Sequence, residues 1–452
     1  MRSFVLLLLI VSTVAAAKSD WPLFGHDASH SGVVGDRRLN RESVAGLRMR
    51  WHVTLGGVAD SAPIVVGDRL FITTRDGTTS AVDSADGRIV WRFVTHGPKI
   101  TTSIPAYDPT QGALFAGGVD GAVHKLDPAD GHEVRADGFP VAITLAPETE
   151  KNASPLNLAN GYLYAQTSGY IGDATPYVGH VVAIRLRDGE RHVFNSLCSS
   201  RHTLIEPQSC DAQRSGMWSR AGVIVDPDPA MHGRLYAATG NGPFDARAGH
   251  YGDTILALSA DASRLLGSLT PDSYARLEAD DLDVGSSSPA LLPRQSDSAT
   301  PLLAVQGGKD GVLRLFDRAR LGGRAQLQTL PLGNELFSAP AVWSGPRDAT
   351  YVFLGLGDGV RAFHLTTSDR TSRLVPAWHA NLAGAVAGSS PVVANGVLFV
   401  ATSGQLIALD ALTGARLWGH ELGSIHWESP AVADGAVYCS DENGALTAFA
   451  LP

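Results

Sequence analysis

The sequence predicts an all-β fold, an eight-bladed β-propeller of four-stranded antiparallel blades. Three observations predict it. A plan of four short strands recurs at a period of about 40 to 50 residues, which marks a propeller or a solenoid. The strands alternate apolar with small or polar residues, and Asn-Gly, Asp-Gly and Ser-Gly pairs stand at the turns between them; such pairs tolerate the positive φ of tight hairpins. The last copy is one strand short, and the start of the chain carries a strand of the missing kind.

The clearest copy spans residues 388–423. Residues 390–393 open it, Asn395-Gly396 turns the chain, and 397–402 return. Residues 405–409 follow, and 415–420 close the unit with Trp418. One such sheet cannot bury both of its faces, so it needs neighbours. Residues 61–93 and 103–134 repeat the plan. Further copies start at Ser154-Pro155, Ser219, Ser288-Pro289, Ser338-Ala339-Pro340 and, after the copy already described, Ser429-Pro430. The eighth ends after three strands. Residues 46–56, with Trp51, match residues 414–423, with Trp418, in spacing. The N-terminal strand is therefore expected to pair into the last sheet and close a ring. Closure leaves only short, protected edges; an open solenoid would want polar caps at both ends.

Length alone would suggest about three domains, but the repeats make residues 18–452 one propeller domain. Glycine (49) and proline (25) suit a turn-rich protein, and 18% charged residues argue against disorder. A net charge of −9 disfavours nucleic acid as a partner. Residues 1–17 read as a secretory signal: Arg2, an apolar run, then Ala15-Ala16-Ala17. That run is too short to span a membrane, and no later stretch is long and apolar enough. No cysteine stands directly after the signal to carry a lipid. The expected address is periplasmic or secreted. There Cys198 and Cys210, which bracket an insert, are expected to form a disulfide. Cys439, in a strand, reads as a buried free thiol. No CxxCH occurs, so no haem is expected to be attached.

Copies three to five are longer than the others. The growth falls in residues 167–179, 195–216, 241–252 and 270–285, which implies either a partly roofed site or plain surface loops. Residues 20–32, with His26, Asp27 and His30, read as an arm lying over the ring rather than a metal site.

The blade pattern, with its recurring glycine and tryptophan, resembles the pyrroloquinoline quinone (PQQ) propeller family. That family includes quinoprotein alcohol dehydrogenases and non-enzymatic relatives in outer-membrane protein assembly. A narrower run is similar to the dehydrogenases: Gly216-Met217-Trp218-Ser219, Asp226-Pro227, Leu235-Tyr236 and Thr239-Gly240-Asn241-Gly242. The resemblance implies that Trp218 stacks under the quinone and that Asn241 ligates calcium. Thr270-Pro271, followed by the acidic stretch 280–285, implies a catalytic aspartate: Asp283, with Asp281 as second choice. Lys309-Asp310-Gly311, followed by Phe316-Asp317-Arg318, is similar to a motif whose basic residue holds the quinone oxygens, a role that falls to Lys309. The family's calcium-binding glutamate has no counterpart in residues 169–182, where Asp173 would be a shorter substitute. The family's adjacent-cysteine disulfide is absent. Without haem, electrons would need a separate acceptor.

The chemistry is coherent. Calcium takes hard oxygen ligands and polarises a quinone carbonyl. An aspartate can take the alcohol proton, and a lysine can stabilise the reduced oxygen. A tryptophan gives a flat wall to a flat cofactor. Each residue also has a plain reading: Trp218 as blade packing, Asn241 as a turn, Asp283 as a solvated loop carboxylate, and Lys309 as a hairpin like Arg75-Asp76-Gly77. Two functions follow: an exported quinoprotein that oxidises an alcohol with PQQ and calcium, or a catalytically silent scaffold that binds a protein or ligand at the cell envelope.

Overall fold

Turn chemistry sets the blades. At the residue pair that turns the clearest repeat, Asn395 and Gly396 both take positive φ (46° and 79°), and the strands on either side, Val392–Ala394 and Val397–Thr402, pair antiparallel. The computed structural model describes residues 19–36, 38–323, 325–385 and 387–452; the expected signal, residues 1–17, lies outside them.

Eight sheets of four or five strands form an eight-bladed β-propeller. Blades 1 to 7 open with Ile64–Val66, Ala106–Asp108, Asn157–Ala159, Ile224–Val225, Ala290–Leu291, Ala341–Ser344 and Val392–Ala394. Blade 8 is built from Ala431–Ala433, Ala436–Ser440 and Ala445–Ala450, and its fourth strand is Arg48–Thr54 from the other end of the chain. The register runs from Arg48 opposite Ala450 to Thr54 opposite Ala445. The head-to-tail closure expected from the strand count is present.

The opening serines tie neighbouring blades together. The Ala221 N–H donates to Ser288 Oγ (3.0 Å), Ala339 N–H to Ser390 Oγ (2.9 Å) and Ser390 N–H to Ser429 Oγ (3.0 Å). The fourth-strand tryptophans do the same at the rim. Trp51 Nε1 donates to Ser84 O, Trp91 to Pro128 O, Trp378 to Ala411 O and Trp418 to Leu47 O, all at 3.0–3.1 Å. Three of these rings, Trp51, Trp91 and Trp378, lie against a turn glycine of the next blade: Gly87, Gly131 and Gly414. Gly87 has φ +77°, and a Cβ there would stand 2.8 Å from the Trp51 ring. Gly87→Ala is expected to cost about 1–3 kcal/mol through strain and overpacking, read as a lower urea midpoint at an unchanged slope.

Blade 2 departs from the expected plan. Its fourth strand is Val141–Ala142, not the stretch before Val134, and residues 127–140 form a loop. Glu133 is drawn instead to His124 Nδ1 (2.7 Å), which leaves only a single bridge to Leu126 there. The Cys198–Cys210 disulfide is formed and Cys439 is buried and free. No helix among the described residues is long and apolar enough to cross a membrane.

The N-terminal arm crosses the ring. Trp21 exchanges both backbone bonds with Val65 of blade 1, and Pro22 O accepts from Tyr107 of blade 2. Ala28 O accepts from Asn157 Nδ2 and from the Val225 N–H, in blades 3 and 4. Ser31 O and Gly32 O accept from Val342 and Val393, in blades 6 and 7. His30 is fully buried and bonds Ala221 O. The arm thus satisfies inner-strand groups that would otherwise face the channel.

Candidate functional site

A cavity of about 400 Å³ opens among the segments that lead into the inner strands. Its lining comes from blades 1, 2, 3, 4, 5 and 8, so it lies at a mouth of the central channel, and the arm crosses the inner strands further along. Asp173, Trp218, Asp283 and Lys309 all line it, as does Asp281. Asn241 sits just behind.

The insert 270–285 carries the short helix Tyr274–Ala279 and then delivers Asp281 and Asp283. Asp283 is 3% exposed. Its Oδ1 accepts the Asn241 N–H at 2.6 Å, and its Oδ2 is in contact with Lys309 Nζ. Lys309 Nζ also meets Asp281 Oδ1 at 3.0 Å and stands 5.4 Å over the Trp218 ring. Gly240 makes this approach possible: a Cβ there would collide with Asp283 Oδ1 and stand 3.1 Å from Trp218 Nε1. Burial pushes the Asp283 carboxyl above its ordinary range, against the pull of the Lys309 ammonium. Burial works to lower Lys309, but Asp283 outweighs it and holds the ammonium above the usual lysine range.

Asn241 is 3% exposed. Its Nδ2 donates to Asp281 Oδ1 (2.5 Å), and its Oδ1 has no partner. A buried carbonyl without a donor, beside a carboxylate, is a hard-oxygen pair that suits a calcium-sized cation. The residues therefore fit a metal at this place. Asp173 stands on the exposed lip of insert 167–179, where its Oδ1 accepts from Tyr177 Oη (2.7 Å). The same lip places Ile171, 79% exposed, at the cavity mouth. Two of the four enlarged loops, 167–179 and 270–285, thus line the cavity, and 241–252 supports it through Asn241.

The other wall was not singled out from the sequence. It contains Asp60, Lys151, Arg220, His426 and Trp427. Arg75 grips Asp60 with its Nε and with Nη2 (2.7 Å) and reaches Glu442 at 3.1 Å. Arg220 lies over the Trp427 ring at 5.4 Å, and Trp427 meets Trp218 edge-on at 6.2 Å. A signal existed: Asp60, Thr102 and Ala153 each stand one residue before a blade's opening serine, the position that faces this cavity.

Glu428 is buried beneath that wall. Its Oε2 accepts the N–H groups of His426 (2.8 Å) and Trp427 (3.1 Å), and its Oε1 has no partner. Burial pushes it from 4.5 up to about 8, with Glu442 and Asp60 adding repulsion against the two backbone bonds. Between those values the unfolded chain ionises this group while the folded chain keeps it protonated. Rising pH therefore favours unfolding across that window, by at most about 5 kcal/mol. Glu428→Gln is expected to remove this loss. Its urea midpoint should gain on that of the native chain between pH 5 and 8.5; parallel midpoints would contradict the assignment.

A family model described as "Outer membrane protein assembly factor BamB" (PQQ_2) matches residues 45–209 and 364–451. The polyvinylalcohol dehydrogenase of Pseudomonas sp is 23% identical over 371 residues, 75% of this chain and 55% of that protein; the chain thus spans about half its relative's length. Among solved structures, a europium-containing methanol dehydrogenase superposes with a TM-score of 0.71 at 17% identity, covering 96% of this chain and 98% of that one. BamB from Moraxella catarrhalis superposes with a TM-score of 0.58 at 14% identity, covering 89% and 98%. These superpositions carry the fold alone. By the family match, which takes in more than half of the chain, this protein belongs to the PQQ_2 family of β-propellers.

Proposed function

We propose that this chain is a quinoprotein dehydrogenase-type propeller that holds PQQ and a calcium ion in the axial cavity and oxidises an alcohol. One observation carries the reading. Asp283, Lys309, Trp218 and Asn241, spread over some ninety residues, are joined in one cluster through Lys309 and Asp283 on a single cavity wall. Bound PQQ would supply the two-electron acceptor, and calcium the Lewis acid. The chain's own residues do the rest. Trp218 offers a flat face. Lys309 can donate to an oxygen placed over that ring, because its Nζ already stands there. Asn241 Oδ1 and the Asp283 carboxylate are the candidate metal donors, and Asp173 could join them from the lip. Asp283, whose proton affinity burial raises, can take the proton of a hydroxyl brought to the cavity.

The likeness to a polyvinylalcohol dehydrogenase supports a secondary alcohol on a long aliphatic chain as the substrate class. The exposed Ile171 at the mouth gives such a chain an apolar surface. Export by residues 1–17 and a separate electron acceptor belong to the same proposal.

The test is loading. After incubation with PQQ and calcium and removal of free cofactor, about one PQQ per chain should be retained, and an added dye should be reduced with alcohols. No retention would overturn the reading. It would favour the second one, a non-catalytic scaffold at the cell envelope, which the family description supports and which also suits a lip that offers Ile171 in place of a second buried carboxylate.

A further inference from the structure

One enlarged loop, 195–216, contributes no residue to the lining of the axial cavity. It is stitched instead to insert 241–252. Ser199 N–H donates to Gly249 O (3.1 Å), and Tyr251 N–H donates to Ser196 O (2.9 Å). These two bonds flank His250 and hold its ring against the Cys198–Cys210 disulfide. Ligand-type atoms of Cys198, Cys210, Asp211 and His250 all lie within 4.8 Å of one another. Asp211 Oδ1 is the hub: it stands 3.3 Å from Cys198 Sγ, 3.8 Å from Cys210 Sγ and 3.4 Å from His250 Nε2. Disulfide sulfurs carry no hydrogen, so of these three neighbours only His250 can bond the carboxylate.

Zinc bonds of about 2.3 Å to sulfur and about 2.0 Å to nitrogen or oxygen set the edges of a tetrahedral site at about 3.3–3.8 Å. The three contacts of Asp211 Oδ1 span that range, and the covalent bond between the sulfurs is the one obstacle. We propose that reduction turns this disulfide into a metal site, in which the Cys198 and Cys210 thiolates, His250 Nε2 and Asp211 Oδ1 hold one zinc-type divalent cation. A dithiol supplies the two electrons and two protons: its own sulfurs join as a disulfide while Cys198 and Cys210 become thiols. The cation then displaces both thiol protons. His250 takes the tautomer with its proton on Nδ1, and the Cys198 N–H that donates there at 3.3 Å moves off with its released sulfur. Two thiolates and a carboxylate at this spacing repel one another unless a cation sits among them, and thiolate with imidazole suits zinc rather than calcium. Cys198, Cys210 and His250 are 6–8% exposed, whereas the Asp211 side chain is open to solvent and gives the ion its way in. The joint between the two inserts is thus kept in both redox regimes. The sulfur–sulfur bond makes it where conditions oxidise, and the metal makes it where they reduce, as in the chain before its cysteines are oxidised.

The experiment reduces the full chain with a phosphine, which leaves no competing thiol, and titrates it with cobalt(II) without air. One cobalt per chain is expected to bind, with the intense visible bands of a four-coordinate ion and a thiolate charge-transfer band, and zinc should displace it. The oxidised chain should bind at least a hundredfold more weakly. His250→Gln and Asp211→Asn should each weaken binding tenfold or more. Cys198→Ser with Cys210→Ser should abolish the charge-transfer band; Cys439, buried and left in place, is the internal thiol control. No cobalt uptake by the reduced chain, uptake equal in the double serine variant, affinity unmoved by His250→Gln, or only the faint bands of a six-coordinate ion would overturn the site. Thermal melting gives a second reading that does not depend on cobalt. Zinc should raise the Tm of the reduced native chain and leave that of the reduced double serine variant where it was; equal shifts in the two would count against the site as well.

Discussion

Asp283→Asn is expected to lower alcohol turnover of the PQQ-loaded protein by roughly three orders of magnitude, within the usual range for a positioned general base, while PQQ retention stays within about twofold. The substitution keeps the shape of the side chain. An asparagine Oδ1 can still accept the Asn241 N–H that Asp283 accepts at 2.6 Å. What it loses is the capacity to take a proton, together with the negative charge that holds Lys309. Lys309 keeps its contact with Asp281 and stays over Trp218, so the wall under the ring is preserved. Turnover and retention are read separately, by dye reduction and by cofactor absorbance. Turnover within tenfold of the native value would take Asp283 out of the role and direct attention to Asp281.

The second large effect is structural. Arg318→Met is expected to cost about 3–5 kcal/mol, the usual consequence of leaving one partner of a buried ion pair alone. Asp226 and Arg318 are both 2–3% exposed and join blades 4 and 5. Arg318 Nε donates to Asp226 Oδ2 at 2.8 Å, and its Nη1 donates to Leu292 O (2.8 Å) and Leu303 O (2.7 Å). Tyr236 Oη adds a bond to the same carboxylate at 3.2 Å. Removing the guanidinium leaves a buried carboxylate with only the Tyr236 hydroxyl and the Asp228 N–H, and takes a donor from each carbonyl, of which Leu303 O keeps the Leu292 N–H. Denaturant unfolding reads the loss directly. The double variant Asp226→Leu with Arg318→Met should recover part of it, because the orphaned charge is gone; recovery of nothing would mean that the carbonyl bonds, not the ion pair, carry the cost.

That clasp also shows how far the sequence could be read. Asp226-Pro227 and Asp317-Arg318 served there as landmarks around a site. In the fold, Asp226 and Arg318 face each other across two blades, a pairing that no local pattern announces. The ring was legible because its signals are local and repeated: a turn pair every few residues, a serine at each opening, and a tryptophan in many of the fourth strands. Head-to-tail closure was legible for the same reason, since Trp51 stands in a strand that matches the one around Trp418. The outer strand of blade 2 was not, because residues 127–137 are rich in charge and Glu133 takes a tertiary partner in place of a ladder.

The site divides in the same way. Trp218, Asn241, Asp283 and Lys309 come from consecutive blades and from a recognisable run, so they could be grouped before the fold was known. Asp60, Lys151, Arg220 and Trp427 come from four different blades, and each reads alone as a solvated charge or a packing ring. Only the closed ring brings them to one wall.

The most direct measurement is a structure of the chain after soaking with PQQ and calcium. The expected result is a flat density on Trp218, with one edge at Lys309 and Asp283 and a cation at Asn241 Oδ1. A cavity that stays clear at saturating cofactor, or a quinone bound elsewhere on the ring, would contradict the account.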